Sequence, residues 1–92
     1  MAYASITKDP NAVLDYRFNW ADWLAEVGDT INASTWTPDT GITKDSSANT
    51  TTTATVWLSG GTAGQSYEVV NHITTAGGRQ DDRTLLVRVR NL

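Results

Sequence analysis

Apolar and polar side chains alternate with a period of two over most of this chain, the pattern of strands that bury one face and expose the other. The clearest run is Val13 to Trp20, where Leu14, Tyr16, Phe18 and Trp20 alternate with Asp15, Arg17 and Asn19. Tyr3 to Thr7 alternates weakly and is cut off by Lys8-Asp9-Pro10-Asn11, a turn in which Pro10 biases Asp9 away from helical backbone. It reads as a short edge strand. Ala21 to Glu26 has helical character, but Gly28-Asp29 stops it within about two turns, so the expectation is one turn crossing the end of a sandwich. Thr30 to Thr37 is extended again, and the odd spacing from Ile31 to Trp36 predicts a bulge. Pro38-Asp39-Thr40-Gly41 is a turn, Ile42 to Asp45 a short strand, and Ser46 to Thr50 a polar connector.

In Thr51 to Ser59, Ala54, Val56 and Leu58 point one way while Thr53, Thr55 and Trp57 point the other. Gly60-Gly61-Thr62-Ala63-Gly64 ends that strand. Ser66 to Thr74 places Tyr67, Val69, Asn71 and Ile73 on one face, Ala76 to Asp82 forms a hairpin loop, and Arg83 to Arg90 turns Leu85, Val87 and Val89 inward. About seven short strands separated by turns, with no alternation of strands and helices, predict an all-β fold: an immunoglobulin-like antiparallel β-sandwich forming one domain over residues 1–92. Tyr67, just after the glycine-rich turn, stands where such domains carry a tyrosine whose hydroxyl returns to upstream backbone and pins a corner.

Composition narrows what the domain does. A chain of 92 residues buries only about 60 to 65% of the surface its unfolded form exposes. It has no cysteine and no Cys/His cluster, so oligomerisation is the remaining staple. Seven basic against ten acidic residues give a net charge of -3, without the positive field that a phosphate backbone requires, which argues against nucleic acid. The start Met-Ala-Tyr-Ala-Ser lacks a basic n-region, and no run approaches the ~20 apolar residues of a membrane span. The expectation is a whole polypeptide made in the cytoplasm, with no membrane partner.

Candidate chemistry is sparse. His72 is the single histidine and falls on the outward face of its strand, with no second ligand at metal spacing and no nucleophile elbow nearby; a solvated or interface histidine fits best. Asp81-Asp82 between Arg79 and Arg83 lacks the oxygen count of a calcium loop and reads as a charged hairpin tip. The glycine-rich turn lacks the lysine and helix of a phosphate cradle. No catalytic residue, metal site or cofactor is expected. Four tryptophans in so short a chain are more telling. Trp20 and Trp36 are in phase with the core, whereas Trp57 is out of phase and Trp23 lies in the irregular crossover; each is a lid over the core or an anchor in a protein interface. The protein-interface candidates are therefore Tyr3, Trp23, Trp57, Arg79, Asp81, Asp82 and Arg83.

Several segments also carry a family resemblance. Lys8-Asp9-Pro10-Asn11-Ala12-Val13-Leu14-Asp15-Tyr16, Trp20-Ala21-Asp22-Trp23-Leu24, Gly28-Asp29-Thr30-Ile31, Thr53 through Gly61, and Arg79-Gln80-Asp81-Asp82-Arg83 resemble a family of small tailed-phage proteins described as fiber-tail adaptors or immunoglobulin-like virion proteins. The resemblance covers nearly the whole chain. It implies a structural protein of the virion, an adaptor joining a fiber or other appendage to the tail or neck. Its implied partners are other virion proteins (tail, neck or fiber subunits), with a homo-oligomer in the particle by analogy with other virion parts. Two alternatives stand beside it: a capsid decoration protein, and an adhesin-like module in which Trp23 or Trp57 stacks on glycan.

Overall fold

β-branched and aromatic side chains fit a pleated, half-buried surface, and this chain repeats them in short runs divided by turns. The computed structural model describes residues 4–92. Seven strands follow in order: β1 (Ala4–Lys8), β2 (Leu14–Asn19), β3 (Ile31–Pro38), β4 (Ile42–Asn49), β5 (Thr53–Gly60), β6 (Ser66–Thr75) and β7 (Gln80–Val89). One helix, α1 (Ala21–Val27), joins β2 to β3. The strands form two facing sheets, one ordered β1-β7-β6-β3 and the other β2-β5-β4. Placing β2, β5 and β4 against β3, β6 and β7 is the partition of an immunoglobulin constant domain, with β1 moved to the far sheet.

That displacement corrects one expectation: the sandwich is not wholly antiparallel, because β1 pairs parallel with β7. The Asp9–Val13 connection crosses between sheets instead of closing a hairpin, so β1 lies beside the last strand and runs with it. A second correction concerns Ala21–Val27, which is a true helix of seven residues. Packing sustains it, since Leu24 and the preceding Trp20 are buried. Gly28 ends it at φ 65°, with Gly28 N–H bonded to Ala25 O and Asp29 N–H to Leu24 O, a Schellman close. Third, β4 runs on to Asn49, where a polar connector was expected. Beyond Ile42, which is buried, its side chains stay exposed, so composition carried no alternation to read. Finally, β7 begins at Gln80, so Gln80, Asp81 and Asp82 belong to a strand and not to the hairpin loop.

The bulge in β3 is present between Ile31 and Ala33 and restores phase, so that Ile31 and Trp36 both face the core. Trp36 stacks on Phe18 at 5.5 Å between ring centroids. Its indole Nε1 is the one buried side-chain polar atom without a hydrogen-bond partner among the described residues. Elsewhere the interior polar groups are satisfied. Trp20 Nε1 donates to Asn71 Oδ1 (3.0 Å), and Asn71 Nδ2 donates to Ser34 Oγ (2.9 Å) and Thr35 O (3.0 Å). One buried asparagine of β6 thus ties Trp20, which follows β2, to β3 of the other sheet.

Candidate protein-interaction surfaces

The ends of the sandwich decide which polar groups remain free for partners. At the end where β1 and β7 finish, Tyr67 at the start of β6 accepts a hydrogen bond on its hydroxyl from Thr62 N–H (2.9 Å). This is the corner pin its position suggested. Its ring lies between two glycines with positive φ. A Cβ on Gly41 would fall 2.8 Å from the ring, and one on Gly61 would fall 2.7 Å from Val89 Cγ2, so the pin requires glycine at both. Beside it Lys8 is wholly buried, with Nζ donating to Gly60 O (2.7 Å) and Asp9 O (2.9 Å). Burial, only partly offset by the charges of Asp9 and Asp45, holds the Lys8 ammonium below the ordinary lysine range. The backbone N–H of Leu92, then that of Asn11, lower the Asp9 carboxyl and fasten the C-terminus to the β1–β2 turn.

At the opposite end the hairpin charges are largely engaged. Arg83 lies 3.9 Å over the Trp20 ring and donates from Nη1 to Asn19 O (2.9 Å). It follows the inward phase of Leu85, which is why it closes the core instead of presenting a charge at a loop tip. Arg79 pairs with Asp29 at 3.0 Å. The Asp29 carboxyl is lowered to about 2 by the Thr75 hydroxyl first, then by Thr30 N–H, Gly77 N–H and Arg79. Trp23 is half-buried and meets Trp20 edge-on at 5.6 Å, a lid over the core end. Asp81 and Asp82 are exposed. Tyr3 lies outside the described residues.

Trp57 differs from all of these. It projects from the outer face of the β2-β5-β4 sheet, flanked across the strands by Asp15 and Ser46. The exposed large apolar side chains among the described residues are Trp57 (43%), Val13 (56%), Leu14 (38%) and Leu92 (83%). Leu14 opens β2 on the face opposite to Trp57, Val13 precedes it, and Leu92 donates its N–H to Asp9 in the turn before β2. Leu14 was expected inside with Tyr16 and Phe18; it starts an edge strand and stays 38% exposed.

On the other sheet, His72 bonds through Nδ1 to Asp82 and through Nε2 to Gln80 (3.0 Å), on an open face. No group of three or more His, Cys, Asp and Glu side chains comes together to hold a metal among the described residues. Sequence reasoning missed Lys8, whose burial is invisible in a turn motif, and Asp29, which looked like part of a helix stop. It also did not foresee the exposure of Val13 and Leu14. Their edge position was the signal, because a strand entering from a turn leaves its first apolar residues uncovered.

Compared with known proteins, the chain matches the model of the family described as podophage GP4 fiber-tail adaptor protein gp77, over residues 8–88. No curated protein matches it.

Proposed function

Since this chain belongs to the podophage GP4 fiber-tail adaptor family, a family of phage structural adaptors, we propose that it joins a fiber to the tail or neck through contacts of its outer surfaces and carries out no catalysis. Several copies act together in the particle, each a link between other virion proteins. The observation that carries this reading is Trp57, 43% exposed on the outer face of the β2-β5-β4 sheet. An indole exposed between Asp15 and Ser46 on that face has the character of an interface anchor. The charged candidates Asp81 and Asp82 form its polar counterpart on the other sheet.

The test is a Trp57→Ala phage. Because Trp57 is 43% exposed and faces away from Ala54, Val56 and Leu58, the isolated domain is expected to lose no more than about 1 kcal/mol. Purified particles should lose the adaptor or the fiber, as read by mass spectrometry of virions. Circular dichroism showing an unfolded variant would place Trp57 in the folding core. The protein's absence from wild-type tails, or its presence at capsid-lattice copy number, would remove the adaptor reading itself.

A further inference from the structure

β2 is the edge of its sheet, and its backbone phase can be read from the structure. Trp20 donates its N–H to Thr52 O (2.8 Å), extending the β2–β5 register in which Phe18 faces Ala54 and Tyr16 faces Val56. In an antiparallel ladder, bonded and non-bonded pairs alternate, so the even-numbered residues direct their N–H and C=O groups at β5. Asp15, Arg17 and Asn19 direct theirs to the open edge. The Asn19 carbonyl confirms the phase by accepting from Arg83, which closes that end of the edge. Asp15 and Arg17 are left, both exposed, with side chains on the outer face and opposite charge two positions apart.

We infer that β2 pairs antiparallel with β2 of a second copy, across a two-fold axis at Tyr16, placing Asp15 of each copy opposite Arg17 of the other. An antiparallel strand paired with itself must keep side chains on matching faces, which restricts the axis to a residue position. An axis at Asp15 or at Arg17 sets like charges directly opposite, which is destabilising. The axis at Tyr16 makes both cross-strand pairs attractive, and these are also the pairs whose backbone groups face the edge, giving about four ladder bonds. On the inner face the same register sets Leu14 against Phe18 of the second copy and Tyr16 against its own counterpart, covering the side chain that the single sandwich leaves exposed. The two sheets become one, β4-β5-β2 continuing into β2-β5-β4, while Trp57 remains on the outer face for another partner. An isologous contact of this kind is self-complementary by construction.

This contact rests on the reading that the adaptor works in several copies. It is tested in solution, apart from any particle, so its failure leaves the location in the tail untouched. Sedimentation velocity and native mass spectrometry of the full chain should find a weak dimer, best sought at about 0.1 to 1 mM because so short an edge buries less than a standard interface. Asp15→Arg alone and Arg17→Asp alone should each weaken it at least about tenfold, since each sets like charges opposite in both pairs. An equimolar mixture of the two variants should give a heterodimer, because every cross-strand pair is then attractive again, and the double variant should self-associate as wild type does. A wild-type chain that stays monomeric at about 1 mM, a dimer indifferent to both substitutions, or a mixture that fails to associate would each overturn the inference.

Discussion

The two ends of the sandwich are closed by opposite charges in opposite surroundings. At the β1–β7 end a lysine is buried and, among the described residues, bonds to carbonyl oxygens alone, those of Gly60 and Asp9. At the hairpin end a carboxylate, Asp29, is enclosed by donors: Thr75, Thr30, Gly77 and Arg79. In the first case burial penalises the charged form; in the second, hydrogen bonds favour it. Both shifts nevertheless run downward, so at both ends the folded chain binds fewer protons than the unfolded one. Stability therefore rises with pH in two separate windows. The end that looks more polar in sequence is the one whose charge is welcome. The buried lysine, the last residue of β1, is a strut to the end of β5, and among the described residues no carboxylate pairs with it directly.

Removing that strut is the largest expected effect. Lys8→Ala should cost about 3 kcal/mol in urea unfolding, because it opens a cavity and strips Gly60 and Asp9 carbonyls of their donor. Lys8→Met keeps the volume and removes the charge, and should cost only about 1 kcal/mol. Equal losses in the two variants would mean that the ammonium, not the volume, sustains the corner. The pH dependence sharpens this. With the folded pKa below 10.5, wild-type stability should climb as pH rises from the folded value towards 10.5, and that climb should vanish in Lys8→Met. Next to the strut, Tyr67→Phe leaves Thr62 N–H without its partner and should cost about 1 kcal/mol. A change near zero would show that solvent replaces the hydroxyl and that Gly41 and Gly61 alone fix the corner.

The contrast also shows what a sequence can carry. Period two was enough for Phe18, Val56, Leu58, Val69 and Leu85, because a strand with one buried face writes its burial into every second residue. Asn71 and Tyr67 were in phase with that face and sit inside, the asparagine bridging the sheets and the tyrosine pinning its corner. The phase of Trp57 likewise placed it outside. What was illegible depends on neighbours distant in sequence. Lys8 bonds to Gly60, and Arg83 lies over Trp20. The parallel pairing of β1 was hidden because nothing in Ala4–Lys8 records which sheet the chain has crossed to. The far half of β4, from Ser46 to Asn49, was hidden because exposed polar residues at a sheet edge write no alternation into the sequence. Surfaces suffer most: Asp15 and Arg17 read as an ordinary polar face until the ladder phase shows which way their backbone points.

The smallest effect concerns Asp29. Its folded pKa of about 2 lies below the unfolded carboxylate value of 3.8, so between those values the unfolded chain is the more protonated. The Asp29 contribution is fully present above about pH 4 and fades as pH falls towards 2. Asp29→Asn retains a carbonyl oxygen for Thr30 or Gly77 but loses the charge facing Arg79, so it should lower the melting temperature at pH 7 by a few degrees. The difference from wild type should narrow steadily as the buffer is taken from pH 4 to pH 2, when the wild-type carboxyl takes up its proton. Thermal melts at half-unit steps across that range measure it. If the gap stays constant down to pH 2, the enclosing donors and not the charge account for the closure.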